Sequence, residues 1–128
     1  MRILLDTHIA LWAVVGSKRL APQARGLILA ANEVFVSVAS LWEIAIKHGL
    51  GKGDMPISSA QAFQAFGDAG YTLLSIRPEH ALAVERLAPI HNDPFDRMLV
   101  AQALTEPLTL VTRDALVASY SAAILKVA

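Results

Sequence analysis

The sequence predicts a five-stranded parallel α/β sheet covered by helices on both faces, folded as one domain over residues 1–128. Three observations lead there. Short β-type runs alternate with longer helical stretches, and the runs are nearly continuous in apolar residues, as strands buried on both faces are. A chain of 128 residues suits a single domain, and burying roughly two thirds of its unfolded surface requires no disulfide or metal staple. Hydrophobic residues make up 55% and charged residues 17%, the latter below the ~25% usual in soluble domains, which argues against intrinsic disorder.

Each element has a local reason. Arg2-Ile3-Leu4-Leu5 is a buried strand, and residues 9–15 form the helix after it. Pro22 sits in the first turn of a helix over 22–31. Val34-Phe35-Val36-Ser37-Val38 is β-branched enough for a strand. A helix over 40–48 meets Gly49 at a C-cap position, and the glycines that follow make 49–56 a loop. Helix 59–67, strand 71–76 and helix 78–87 come next. Asp93-Pro94 opens a helix running to about 105, before strand 108–111, short helix 114–120 and a last strand at 123–127. No repeat, low-complexity tract or linker interrupts this order.

Eleven Lys and Arg balance eleven Asp and Glu. No global field therefore recruits a polyanion, and any such binding must come from local charge arrangement. Without cysteine, disulfides, zinc-thiolate sites and thiol nucleophiles are excluded. Asp6 interrupts the apolar start, so no signal peptide is expected, and the longest apolar run, 9–15, is far below the ~20 residues that span a bilayer. A cytoplasmic protein with no membrane partner is the expectation.

Four acids stand out. Asp6 directly follows the first strand, and Asp114 follows the fourth after Thr112 and Arg113. In a parallel sheet both would face the crevice beyond the carboxyl ends of the strands, although each could equally be the N-cap of the next helix. Asp93, Pro94 and Asp96 likewise read as N-cap, N1 residue and first-turn acid, yet Asp96 heads the apolar stripe Leu99, Val100 and Ala103. Glu43 lies on the polar stripe Ser40, Glu43, Lys47 of an otherwise apolar helix. That stripe is either a solvated face or an opening onto a cleft. Clustered carboxylates repel one another and are tolerated around a hard divalent cation. Oxygen donors without clustered His or Cys favour Mg²⁺ or Mn²⁺, and such a site suits phosphodiester hydrolysis.

Four segments in series resemble one family. Ile3-Leu4-Leu5-Asp6-Thr7-His8, Ser40-Leu41-Trp42-Glu43-Ile44, His91-Asn92-Asp93-Pro94-Phe95-Asp96-Arg97 with Leu99-Val100-Ala101-Gln102-Ala103, and Val111-Thr112-Arg113-Asp114 are similar to PIN domains. The match is best with the VapC-type ribonuclease toxins of type II toxin–antitoxin systems, and it covers essentially the whole chain. The resemblance implies a three-layer α/β/α domain with a mostly parallel five-stranded sheet. It also implies a Mg²⁺- or Mn²⁺-dependent endoribonuclease whose acidic site is Asp6, Glu43, Asp96 and Asp114. Asp6 and Asp96 would bind the metal, with Glu43 and Asp114 completing the site. Asp96 is preferred to Asp93 because it directly precedes the Leu-Val-Ala-Gln-Ala stretch. Thr7, Ser40 and Thr112 stand beside the acids and would hydrogen-bond carboxylates or phosphate, while Arg97, Arg113, Lys47 and Lys52 are candidates for phosphate contacts. Many members carry Asn at the position of His8. A small cognate antitoxin and a homodimer are the partners the resemblance implies.

Other readings are weaker. An aspartyl phosphatase would place a second acid two residues after Asp6, where His8 stands. Gly51-Lys52 is followed by Gly53, so no phosphate-binding P-loop is present. A non-catalytic PIN-like scaffold that binds RNA or protein would be expected to lose acids, and this chain keeps all four. His48 and His80 read as structural or exposed, with no neighbour to orient them. A 55% hydrophobic composition exceeds what one core absorbs, which predicts uncovered apolar surface around Trp12 or Trp42 and hence self-association.

Overall fold

The computed structural model describes residues 1–128. Twelve elements follow in order: β1 (Arg2–Leu5), α1 (Thr7–Val15), α2 (Pro22–Ala30), β2 (Glu33–Ser37), α3 (Val38–Gly49), α4 (Ser59–Asp68), β3 (Thr72–Leu74), α5 (Pro78–Glu85), α6 (Pro94–Thr105), β4 (Thr109–Thr112), α7 (Ala115–Ala118) and β5 (Leu125–Lys126). The strands form one sheet in the order β3-β2-β1-β4-β5, and all four pairings are parallel.

Alternation along the strands divides the core in two. Ile3 and Leu5, Val34 and Val36, and Val111 face a cluster completed by α1 to α4 through Ile9, Ala24, Ile44 and Phe66. Leu4, Phe35 and Leu110 point the other way, against Leu99, Val100 and Ala103 of α6 and Val117 of α7. A pleated strand sends successive side chains to opposite faces, so these runs must be apolar throughout. The three-layer arrangement follows.

Boundaries depart from expectation where tertiary contacts intervene. Strand β3 keeps three residues of the six expected, because Ser75 leaves the sheet and its carbonyl accepts from Gln102 Nε2 at 3.3 Å. Strand β5 is reduced to two, paired only as Val111↔Leu125 and Thr112↔Lys126. Helix α3 starts at Val38, ahead of Ser40, because Ser37 Oγ caps it by accepting from Ala39 N–H, and it runs through Gly49 to a cap at Leu50. Trp12 is buried at 5% exposure, against expectation, whereas Trp42 is 59% exposed. The apolar residues of α3 are thus not covered on most sides. No helix is long and apolar enough to cross a membrane.

Strand β1 is central, and chain order reverses beside it: β2 lies on one side and β4 on the other. Crevices form at such switch points. Asp6 N–H donates to Val111 O at 3.0 Å, stitching the carboxyl ends of β1 and β4 together where the acids emerge.

Candidate active site

A cleft of about 510 Å³ opens at those strand ends. Asp6, Glu43, Asp54, Asp93, Asp96 and Asp114 line it, together with Arg19, Lys47, Arg113, His8 and Trp12. Six carboxylates thus face three permanent cations. All four expected acids converge here, and Asp93 joins them.

For three acids, capping a helix and facing the cleft are the same job. Asp6 caps α1, accepting from His8 N–H at 3.3 Å, and its second oxygen accepts from Thr112 Oγ1 at 2.7 Å. Asp93 caps α6 by accepting from Phe95 and Asp96 N–H. Asp114 caps α7 through Leu116 and Val117 N–H. A cap consumes one carboxylate oxygen and leaves the other available.

Glu43 is buried, and both its oxygens are held. Thr7 Oγ1 donates to Oε1 at 2.7 Å, Ser40 Oγ donates to Thr7 at 2.8 Å, and Lys47 Nζ pairs with Oε2. The hydroxyls of Thr7 and Thr112 are therefore spent on carboxylates and that of Ser40 on Thr7, in residues at most 1% exposed. None of the three reaches a cleft ligand directly.

Asp96 differs from its neighbours. Its carboxylate accepts no hydrogen bond shorter than the 3.3 Å approach of His91 Nε2. Burial, then the charges of Asp6, Asp93 and Glu43, push its pKa up to about 7. Asp6 is also raised, chiefly by burial. Asp114 moves the other way: burial opposes it, but the His91 hydrogen bond and the α7 N–H groups hold it below the ordinary carboxylate value. Lys47 is raised despite its burial, by the Glu43 pair. A half-buried carboxylate with vacant lone pairs among like charges fits a hard divalent cation, which would reverse the repulsion.

The basic candidates divide. Arg113 lies over the Trp12 ring at 5.0 Å, and Lys47 reaches the cleft beside Glu43. Gly53 passes so close to Lys47 that a Cβ there would meet its Cδ at 2.6 Å, and its φ of +74° suits glycine. Lys52, in the same loop, does not line the cleft. Arg97 has another task than the expected phosphate contact. Its guanidinium donates to Ala88 O, Val84 O and Tyr120 Oη, each at 3.0 Å, which pins the segment before α6.

Sequence reasoning missed the roles of four residues here. His91 bridges Asp114 Oδ2 at 3.0 Å and Asp96 Oδ2 at 3.3 Å. Arg19 and Asp54 form an ion pair across the rim. His8 Nε2 meets Gly53 O at 2.8 Å and ties the 51–54 turn to α1. Only His91 left a signal, as a histidine two residues before the N-cap Asp93. His80 is structural and His48 exposed, as expected, but both have partners: His80, at 0% exposure, meets Glu106, and His48 meets Met55 O.

Among relatives, a protein of Mycobacterium tuberculosis named Ribonuclease VapC22 is 29% identical over 112 residues, 88% of this chain and 86% of its own. The fold is similar to that in VapBC2 of Rickettsia felis bound to a promoter DNA fragment, with a TM-score of 0.68 at 17% identity over 98% of both chains. A toxin–antitoxin complex from Klebsiella pneumoniae gives 0.67 at 17% identity, covering 97% of this chain and 96% of that one. The sequence pattern of the PIN domain matches residues 3–121. The chain belongs to the PIN domain family.

Proposed function

We propose that this protein is a Mg²⁺- or Mn²⁺-dependent endoribonuclease, acting as the toxin of a type II toxin–antitoxin pair. The observation that carries the chemistry is Asp96: a carboxylate without a counter-ion, crowded by Asp6, Asp93 and Glu43. The toxin reading rests on the relative named as a ribonuclease and on the fold shared with toxin–antitoxin complexes.

Asp6 and Asp96 would hold the ion, with Glu43 and Asp114 completing the site through water. When bound, the ion supplies a more acidic water and neutralises charge on the reacting phosphate. Thr112 fixes the rotamer of Asp6, and the Ser40–Thr7 relay fixes that of Glu43. Arg113, stacked on Trp12, and Lys47 are the cations placed to contact flanking phosphates. A cognate antitoxin would cover the cleft, and the exposed Trp42, Ile46 and Leu50 mark α3 as the face for a homodimer.

Purified protein incubated with structured RNAs should cleave with Mg²⁺ and not with EDTA. The ion should also raise the melting temperature, since a hundredfold excess over Kd stabilises by roughly 2.7 kcal/mol. Cleavage that is indifferent to EDTA, with no thermal response to Mg²⁺, would overturn the reading. Sedimentation as a monomer throughout the micromolar range would remove the homodimer alone.

A further inference from the structure

We propose that His91 is a positioning residue of the acid cluster, its Nε2–H hydrogen-bonded to Asp114 at the start of α7 and in contact with Asp96 of α6. This deepens the divalent-cation reading and rests on it.

The ring is fixed before it meets either acid. Its Nδ1 accepts from Asp93 N–H at 3.0 Å. The His91 backbone N–H donates to Tyr120 Oη at 2.9 Å, and Arg97 binds the same phenol while gripping Ala88 O. A backbone N–H aimed at Nδ1 forbids a proton there, so in the neutral ring the proton sits on Nε2. That nitrogen is then a donor and cannot ligate a metal. His91 therefore acts through the carboxylates.

Each of the other expected acids has a donor that sets its direction: Thr112 for Asp6, and Thr7 with Lys47 for Glu43. Asp114 spends Oδ1 on its helix, and only His91 determines where Oδ2 points. Asp96 accepts no hydrogen bond, and the same Nε2, 3.3 Å from its Oδ2, is the nearest side-chain nitrogen to it. The two acids come from elements 18 positions apart in sequence, on the same side of the sheet. Without the ring, like charges would turn them apart. Outer partners of this kind orient metal-binding side chains, and losing one typically weakens metal affinity 10–100-fold.

The test uses Mn²⁺ titration calorimetry on the whole chain, with cleavage kinetics beside it. His91→Ala should weaken Mn²⁺ binding by roughly 10–100-fold and lower kcat while KM for RNA holds. His91→Gln, which restores an N–H donor, should recover part of both. Combining His91→Ala with Asp114→Ala should cost less affinity than the sum of the two single losses. Tyr120→Phe removes the loop's anchor without touching Nε2, and should lower thermal stability while weakening Mn²⁺ binding less than His91→Ala does. Wild-type affinity in His91→Ala, or an equal loss in Tyr120→Phe, overturns the inference. In the metal-free protein, ¹⁵N spectra of the ring should show the neutral form protonated on Nε2. A ring protonated on Nδ1 overturns this inference while leaving the nuclease reading intact; absent Mn²⁺ binding by the wild type overturns both.

Discussion

His80 and His91 are wired alike in opposite electrostatic surroundings. Each has Nδ1 locked by a backbone N–H, from Arg77 for His80 and from Asp93 for His91, and each presents Nε2 to a carboxylate. Around His80, the Arg77 guanidinium pairs with both Glu79 and Glu106, so the acids of α5 and α6 are compensated. Hydrogen bonding from His80 leads, with Arg77 adding to it, in holding Glu106 below its ordinary pKa. Around His91 the Arg97 guanidinium reaches only carbonyls and the Tyr120 hydroxyl and pairs with neither acid, and Asp96 rises to about 7. A compensated cluster fastens two helices. An uncompensated one stores demand for a cation, which is why Glu79, His80 and Glu106 make a poor metal site despite their proximity.

The largest effect that sharpens this contrast is expected from Asp96→Asn. Losing several kcal/mol of transition-state stabilisation corresponds to on the order of a thousandfold in cleavage rate. The same substitution removes a repelled charge, so the variant should melt in EDTA at or above wild type. Metal-dependent cleavage at the wild-type rate would break the comparison.

pH should separate the two clusters next. Because the folded pKa of Asp96 is raised from 3.8 to about 7, the native state holds its proton more tightly. The contribution of Asp96 to metal-free stability is thus full below 3.8 and lost as pH rises through about 7. A bound cation competes with that proton, so Mn²⁺ affinity should climb about tenfold per pH unit up to that point. Glu106 has the opposite sign. Its contribution is present above 4.5 and lost as pH falls through its lowered folded value. Melts in EDTA across pH 3–8, on wild type, Asp96→Asn and Glu106→Ala, resolve the two contributions.

A smaller loss is expected from Glu106→Ala, which leaves the buried Nε2–H of His80 without its acceptor. That should cost about 1–3 kcal/mol in urea unfolding, with Mn²⁺ affinity unchanged. Smallest is Arg19→Ala, which breaks an exposed ion pair and should shift stability by no more than about 0.5 kcal/mol.

Much of this was legible in the sequence, because strand apolarity and helix caps are local. The five strands and the order of helices follow from short-range pattern, the rule for parallel sheets brings Asp6 and Asp114 to one crevice, and the family resemblance is what joined Glu43 and Asp96 to them. The choice between cap and site was not resolvable there, since Asp6, Asp93 and Asp114 do both. Arg97 was misread because its acceptors, the carbonyls of Val84 and Ala88, are a tertiary circumstance that adjacency to an acid does not reveal. The partner of His80 was missed for the same reason: Glu106 lies 26 positions away. Ends of the edge strands β3 and β5 depended on single contacts, such as the Gln102 bond to Ser75, that carry no periodic signal.

The hydrogen bond from Thr112 to Asp6 spans 106 positions of chain. Strand β1 is synthesised well before β4, so the side chain that orients its acid is made long afterwards, followed by Asp114 itself. No nascent fragment that stops before Thr112 can complete the cluster, whatever else it has folded. Closing so long a loop carries an entropic cost that assembly of the site has to meet. The acid cluster is therefore incomplete throughout synthesis of the chain up to Thr112, and is finished only when β4 has docked beside β1.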